Sequence, residues 1–336
     1  MATPREQMRE AFAATAGWSG ATATALPADA SFRRYFRLQR DRESCLIMDA
    51  PPDQEDVRPF VLIARHLAKL GLSTPRIWAA DEANGFLLLE DFGQATFTQL
   101  LRDGGDETRL MEAAVDTIIH LHQCAAAADI AVPDYSVEIL CEEALLFPDW
   151  FVPAYYGEPC TPAARDAYIG AWTRTFASMP PAPVSLVLRD YHVDNLMLLA
   201  ARSGVRRCGL LDFQDALIGP VAYDLVSLVE DARRAIPASL RSALIDRYCR
   251  AFPQMDAALI RDWCAVLGAQ RHAKVGGLFI RLHERDAKRV YLRHIPQVLG
   301  LLRGRLAHPA LVLLKAWFEQ HAPRFEQARF EQAHFE

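Results

Sequence analysis

The stretch Leu186-Val-Leu-Arg-Asp-Tyr-His-Val-Asp-Asn-Leu-Met-Leu-Leu199 carries the densest chemical information in this 336-residue chain. Its apolar ends predict two short buried strands. The turn between them concentrates polar side chains, namely Arg189, Asp190, His192, Asp194 and Asn195. A second apolar run, Gly209-Leu-Leu-Asp-Phe-Gln-Asp215, also ends in carboxylates. The pattern predicts that Asp190, Asn195 and Asp212 lie at strand ends that are able to converge.

Two carboxylates and an amide in this arrangement suit a hard, oxygen-preferring cation, above all magnesium bound together with substrate phosphates. Phosphoryl transfer needs such a set, because a base must orient the acceptor hydroxyl and metal ions must neutralise phosphate charge. Asp190 and Asn195 have the spacing D-x-x-x-x-N, and an Asp-Phe dipeptide follows at 212–213. We therefore expect Asp190, Asn195 and Asp212 to be catalytic, with Asn195 and Asp212 as the metal ligands. The alternative, polar capping of surface turns, fits an isolated Asp-Asn turn better than this full set.

The segments around this stretch predict an α+β fold with two lobes. The first ninety residues carry β patterns over 22–26, 32–39, 45–48, 76–80 and 86–90, with helices over 5–16 and 57–70. Beyond Asp91, helical patterns dominate over 106–127, 136–147, 162–178, 222–234, 237–252 and 256–280. We expect a small β-rich lobe over residues 1–91, a large helical lobe over 92–323 and a flexible tail over 324–336.

Composition excludes several other classes of protein. Hydrophobic residues make up 51% of the chain and charged residues 24%, with a net charge of -5, as in ordinary globular proteins. The mildly acidic balance argues against nucleic-acid binding, which favours a basic face. Seven cysteines without a C-x-x-C pair indicate reduced thiols. With no long apolar run or signal-like N-terminus, we expect a cytoplasmic monomer without a membrane partner.

The arrangement of the polar turn resembles the aminoglycoside phosphotransferase and choline kinase branch of the protein-kinase-like fold. That branch commonly reads H-x-D-x-x-x-x-N, whereas this chain reads Leu188-Arg-Asp-Tyr-His-Val-Asp-Asn195 and lacks the first histidine. Its metal aspartate matches Leu211-Asp-Phe-Gln-Asp215, and a later aspartate matches Asp224. Over nearly the whole chain, the resemblance implies a two-lobed kinase-like fold, the cofactors ATP and Mg²⁺, and a role for Asp224 in bracing the catalytic loop.

Three further segments narrow the resemblance within that branch. Residues 28–37 (ADASFRRYFR), 48–52 (MDAPP) and 212–216 (DFQDA) are similar to those of the bacterial anomeric sugar kinases of cell-wall recycling. This similarity implies ATP-dependent phosphorylation of the C1 hydroxyl of N-acetylmuramate and N-acetylglucosamine in peptidoglycan recycling. Two alternatives stay open: an aminoglycoside- or choline-type phosphotransferase, and a catalytically inactive ATP-binding scaffold.

The inactive alternative arises because the chain departs from the kinase pattern at the phosphate-binding lysine. Met48 stands where that lysine is expected, no lysine precedes Lys69, and residues 28–31 contain no glycine. We expect an arginine to take over this role, because a guanidinium is permanently charged and forks onto phosphate oxygens. Since side chains alternate along a strand, one of Arg33 and Arg34 should face the site and the other should not.

The remaining candidate site residues rest mainly on the resemblance. It implies nucleotide contacts at Ser31, Arg33 and Arg34, and at Glu90 and Phe92 in the segment joining the lobes. For an acceptor sugar we expect contacts from Asp190 and from a set in the helical lobe, namely Trp150, His192, Arg271, His272 and Lys274. In this interpretation Trp150 stacks on a sugar face and a cationic side chain meets a carboxylate. Packed aromatic and solvated helix positions remain the alternatives.

Overall fold

The computed structural model describes residues 3–27 and 32–330, which form two compact units. The first unit holds the chain up to Ile130 together with Val193–Ala216, and the second holds Ala131–His192 together with the chain from Leu217 onward. Residues 92–130, which the sequence analysis assigned to the helical lobe, therefore lie in the first unit. The polar turn that contains Asp190 and Asn195 is where the chain passes from the second unit to the first.

The first unit is built on an antiparallel sheet of five strands with the order β1-β2-β3-β5-β4. The strands, numbered along the chain, are β1 (Thr22–Ala25), β2 (Arg34–Arg40), β3 (Glu43–Asp49), β4 (Ile77–Asp81) and β5 (Phe86–Glu90). The five predicted strand segments are thereby confirmed. The helices of this unit are α1 (Pro4–Ala13), α2 (Arg58–Lys69), α3 (Phe97–Arg102) and α4 (Glu107–Gln123).

Alternating apolar positions explain how the sheet packs. Leu38, Cys45, Ile47, Phe86 and Leu88 form a buried cluster on one face, as the two-residue period of a strand requires. The turn between β4 and β5 needs glycine at position 85, because its φ is +71° and a Cβ there would lie 1.8 Å from the carbonyl oxygen of Ala50. Strands β4 and β5 pair antiparallel across this turn and form a β-hairpin.

The first unit also contains the segment that follows the polar turn. Strands β7 (Leu196–Leu198) and β8 (Cys208–Leu210) pair antiparallel. They connect to the rest of the unit through two backbone hydrogen bonds, from the amide of Leu198 to the carbonyl of Ala95 (2.8 Å) and from the amide of Leu210 to the carbonyl of Ser73 (2.7 Å). These bonds explain why residues 193–216 belong to this unit.

The second unit is mostly helical, so the α+β assignment is confirmed. Its helices are α5 (Val137–Ala144), α6 (Val152–Tyr156), α7 (Pro162–Ser178), α8 (Ala222–Val229), α9 (Ala238–Ala251), α10 (Ala257–Glu284), α11 (Ile295–Arg305) and α12 (Val312–His321). Strands β6 (Val184–Val187) and β9 (Leu217–Pro220) form an antiparallel pair. The sequence analysis predicted five of these helices and missed α6, α11 and α12. Across residues 3–27 and 32–330, no helix combines the length and apolar character that crossing a membrane requires.

The C-terminal segment begins with packed residues. The ring of Phe325 lies 4.9 Å from that of Phe318 and 5.9 Å from that of Phe147, centroid to centroid, and the residue is buried. Burial of an aromatic ring contributes to stability in proportion to the apolar area removed from water. Phe325 therefore anchors the start of this segment to the second unit. Residues 331–336 of the predicted tail lie outside the described residues.

Candidate functional site

A buried carboxylate holds the backbone at the beginning of the polar turn. The side chain of Asp224, in the first turn of α8, accepts hydrogen bonds from the backbone amides of Leu188 (2.6 Å) and Arg189 (2.9 Å). Arg189 has a φ of +69°, a conformation that non-glycine residues rarely adopt. Asp224 thus stabilises an unfavourable loop conformation immediately before Asp190, the bracing role that the resemblance implied.

Positive charge surrounds Asp190 within the second unit. Burial raises the pKa of this carboxyl group, but the nearby charges of Lys274, His192, Arg271 and Arg189 outweigh burial and hold its pKa below the ordinary value. The carboxylate is therefore ionised at neutral pH. An ionised carboxylate at this point is able to accept a hydrogen bond, and then a proton, from an acceptor hydroxyl.

Two of these cations are fixed by a residue that the sequence analysis did not single out. Glu143, on α5, accepts hydrogen bonds from Lys274 Nζ (2.7 Å) and from the hydroxyl of Tyr135, and it forms an ion pair with Arg189. Burial raises the pKa of Glu143, yet Lys274 and Arg189 lower it overall. No local motif marks Glu143, because its cationic partners Arg189 and Lys274 lie 46 and 131 residues away along the chain.

Asn195 and Asp212 come together within the first unit, as expected of a shared site. Asn195 Nδ2 lies 3.5 Å from Asp212 Oδ2, and the carbonyl of Asn195 accepts a hydrogen bond from the amide of Leu211 (3.0 Å). Asp212 has a φ of +56°, and such conformations in non-glycine residues cluster at functional sites. Gln214 Nε2 donates to Asp212 Oδ1 at 3.0 Å, which orients the carboxylate.

The donor set at Asn195 and Asp212 fits a hard cation in part. Among residues 3–27 and 32–330, no group of three or more histidine, cysteine, aspartate or glutamate side chains is placed to hold a metal ion. A carboxylate and an amide oxygen are nevertheless ligands that Mg²⁺ accepts, and an amide presents its oxygen by rotating about its last bond. With Mg²⁺ bound, Asn195 and Asp212 would supply two oxygen ligands, and magnesium commonly takes its other ligands from water and substrate phosphates.

The two adjacent arginines have different surroundings. Arg33 Nη2 lies 3.6 Å from Asp212 Oδ1, and its Nε lies 3.9 Å from a carboxylate oxygen of Glu55. Arg34 begins β2 and is exposed. Met48, at the expected lysine position, is completely buried in β3. The structure therefore places Arg33, and not Arg34, beside Asp212. Ser31 lies outside the described residues.

At the end of β5, side chains make structural contacts around the connecting segment. The carboxylate of Glu90 forms an ion pair with Arg202 and accepts a hydrogen bond from the amide of Arg76 (3.2 Å). The ring of Phe92 packs so closely on Gly209 that an added Cβ there would lie 2.9 Å from it. Any nucleotide contact of Glu90 would thus be a backbone contact, because its carboxylate is already paired.

The expected acceptor residues divide into two groups. His192, Arg271 and Lys274 interact electrostatically with Asp190. His272 Nε2 instead donates to the carboxylate of Glu230 at 2.8 Å, in a buried cluster with Arg305. Trp150 is partly exposed, and its side chain makes neither a hydrogen bond nor a ring contact with any residue that the structure describes.

One member of the first group has unused hydrogen-bonding capacity. Arg271 is only 5% exposed, and its Nε has no hydrogen-bond partner in the described part of the chain. A second residue that the sequence analysis missed, Arg233, lies nearby, with its Nη1 3.3 Å from His192 Nε2. A buried guanidinium without a partner is unfavourable unless an anion or a polar group meets it.

Solved structures with the same fold include small-molecule kinases. A choline/ethanolamine kinase family protein from Mesorhizobium loti matches 94% of this chain and 98% of its own, with a TM-score of 0.61 and 16% identity. A choline kinase from Streptococcus pneumoniae matches 89% of this chain and 99% of its own, with a TM-score of 0.61 and 10% identity. At these identities the likeness shows the fold, which is the predicted protein-kinase-like fold.

Curated relatives are more similar in sequence. The N-acetylmuramate/N-acetylglucosamine kinase of Pseudomonas aeruginosa is 38% identical over 289 residues, covering 83% of this chain and 82% of the relative. The protein of the same name from Caulobacter vibrioides is 32% identical over 357 residues, covering 96% of this chain and 98% of the relative. The model of the phosphotransferase enzyme family matches residues 22–258. With this match over most of its length, the chain belongs to the phosphotransferase enzyme family.

Proposed function

We propose that this protein is an ATP-dependent kinase that phosphorylates the C1 hydroxyl of N-acetylmuramate and N-acetylglucosamine. The names of its relatives, at 38% and 32% identity over most of the chain, support this substrate class. The observation that carries the proposal is the ionised carboxylate of Asp190, which follows a loop braced by Asp224 and lies among the cationic side chains of Lys274, Arg271 and Arg189.

In this reaction Asp190 acts as the general base. Its carboxylate orients the C1 hydroxyl and takes up the hydroxyl proton as the bond from that oxygen to the γ-phosphorus forms. The bond between the γ-phosphorus and the bridging oxygen of ATP breaks at the same time, and ADP leaves with the electron pair. Because an ionised base must be ready for the proton, the lowered pKa of Asp190 suits this role at neutral pH.

Asn195 and Asp212 would hold Mg²⁺, and Arg33 would add a fixed positive charge. When bound, the metal neutralises the charge on the nucleotide phosphates. Arg33 replaces the missing lysine in our interpretation, since its guanidinium already lies 3.6 Å from Asp212 Oδ1. A guanidinium is able to hold two phosphate oxygens through parallel hydrogen bonds.

Charge around Asp190 favours a neutral or anionic acceptor over a cationic one. Lys274, His192, Arg271 and Arg189 all interact with the carboxylate, and the buried Nε of Arg271 lacks a described partner. The lactyl carboxylate of N-acetylmuramate would satisfy Arg271, whereas choline or a polycationic aminoglycoside would meet repulsion. We propose Arg271 as the residue that recognises this carboxylate, with Arg233 beside it.

The decisive test is a phosphorylation panel with phosphorus NMR of the products. The purified protein is incubated with Mg·ATP and either N-acetylmuramate, N-acetylglucosamine, choline or kanamycin. We expect sugar 1-phosphates from the first two compounds and no product from the cationic ones. Phosphorylation of a cationic compound alone would favour the antibiotic or choline alternative, and absence of turnover with every acceptor would favour the inactive scaffold.

A matched variant tests the base within the same assay. Asp190→Asn preserves the shape of the side chain but removes its proton affinity, so kcat should fall by at least about 100-fold. ATP binding should persist, and it is measured as the rise in Tm that ATP causes. Near wild-type turnover in a folded Asp190→Asn protein would show that another group takes the proton.

A further inference from the structure

An arginine-lined cavity lies in the first unit, apart from Arg33, Asn195 and Asp212. It has a volume of about 370 Å³, within the range of small-molecule sites. Its walls come from α2, from the loop between α2 and β4, and from the segment that follows β7. Glu90 is the one residue that it shares with the candidate site, and its charged lining residues are Arg65, Arg76, Glu90, Arg202 and Arg206.

The charges in this cavity are unbalanced. Four arginines face a single carboxylate, in a chain whose net charge is -5. Glu90 is already paired with Arg202. The guanidinium groups of Arg65, Arg76 and Arg206 make no hydrogen bond or ion pair within residues 3–27 and 32–330. Many other arginines of the chain do pair, so this grouping leaves three positive charges unneutralised around one concave space.

The backbone that carries these arginines is well fixed. The hydroxyl of Ser73 donates to the carbonyl of Arg206 at 2.7 Å, and the amide of Leu210 donates to the carbonyl of Ser73 at 2.7 Å. The hydroxyl of Thr74 donates to the carbonyl of Ala64, on α2, at 3.0 Å. These bonds tie together the three chain segments from which the arginines project. The backbone positions from which the arginines project are therefore held in place relative to one another.

We propose that this cavity is an accessory binding site for a small phosphorylated metabolite, separate from the catalytic site. A phosphate or diphosphate group offers several oxygens to neighbouring guanidinium groups, which bind phosphate through short, charge-assisted hydrogen bonds. The volume accommodates a sugar phosphate or a nucleoside diphosphate. The proposal goes beyond the kinase activity and does not depend on it, because binding is measured without turnover.

The test is calorimetric titration of the full-length protein with three separate probes. Inorganic pyrophosphate tests for recognition of the phosphate groups alone. N-acetylglucosamine 1-phosphate and ADP then distinguish a sugar phosphate from a nucleotide. The test variant is Arg65→Ala/Arg206→Ala. The control is Arg102→Ala/Arg109→Ala, which removes the same charge from exposed positions outside the cavity. Arg33→Ala reports on binding at the catalytic site. Thermal melts verify that each variant is folded.

We expect at least one probe to bind the wild type, with a Kd at least about 10-fold higher in Arg65→Ala/Arg206→Ala, as loss of a charge-assisted contact implies. The control variant and Arg33→Ala should keep this binding. The proposal is wrong if no probe binds, if the cavity variant binds like the wild type, or if the control loses affinity equally.

Discussion

Two neighbouring arginines show how one residue position determines chemistry. Arg33 lies just before β2 and reaches Asp212, whereas Arg34, the first residue of β2, is exposed. The sequence analysis predicted this difference in direction but not which residue would face the site. The structure thereby identifies Arg33 as the candidate for the phosphate-binding role left open by Met48, and Arg34 as its natural control.

We expect Arg33→Ala to raise the KM for ATP or to lower kcat by about 10- to 150-fold, which is the value of a charge-assisted contact. Arg34→Ala should leave both constants within about twofold, because an exposed arginine contributes little. Steady-state kinetics with varied ATP distinguishes the two variants. Equal effects in both, or none in either, would mean that another cation meets the phosphates.

A second prediction at the scale of single residues concerns the effect of Lys274 on the pKa of Asp190. It is the largest of the charge effects that lower the pKa of Asp190, so its removal should raise that pKa. The acidic limb of the kcat/KM profile should therefore move to higher pH in Lys274→Met. Lys315→Met is the matched control, since Lys315 is 56% exposed on α12. A profile that falls in height without moving along the pH axis would assign Lys274 a purely structural role.

Among the elements, α10 forms the centre of the second unit and depends on close packing. It spans 28 residues, most of them buried. At Gly277 the helix lies so near the backbone just after α5 that an added Cβ would be 2.0 Å from the carbonyl oxygen of Leu146. The adjacent Gly276 has its nearest neighbour, a side-chain atom of Leu299, at 3.7 Å from such a Cβ, which is ordinary contact.

Gly277→Ala should therefore destabilise the protein by about 1–3 kcal/mol, the usual cost of overpacking. Gly276→Ala should be neutral or stabilising, because alanine favours the helix by up to about 1 kcal/mol over glycine. Urea unfolding of the two variants measures the difference. Equal stabilities would indicate that α10 shifts to make room and is less tightly held than its contacts imply.

At the scale of the whole molecule, the first unit is discontinuous along the chain. Residues 193–216 return to it after the chain has passed through part of the second unit. They contribute β7 and β8, which bond to the backbone of Ala95 and Ser73. A fragment that ends at Ile130 therefore lacks part of this unit.

A fragment of residues 1–130 should consequently fail to show a cooperative unfolding transition, although its helices and sheet are encoded within it. Burial by β7 and β8 is missing, and its exposed apolar surface favours association. Urea unfolding followed by circular dichroism, with the full-length protein as control, tests this. A sharp transition in the fragment would show that residues 193–216 are dispensable for this unit.

The sequence alone predicted most of the strands and helices, because apolar periodicity acts locally, and it missed the short elements β9 and α3. It also marked Asp190, Asn195 and Asp212, since their spacing is a pattern that is readable without coordinates. Their roles remain proposals. The tertiary structure decided what local patterns do not encode. It places Arg33 rather than Arg34 beside Asp212, and it pairs Glu143 with Lys274 and Arg189. It also pairs His272 with Glu230 and forms the arginine-lined cavity. In each case, residues distant in sequence meet because the core packs, and charge then acts across a few ångströms of space.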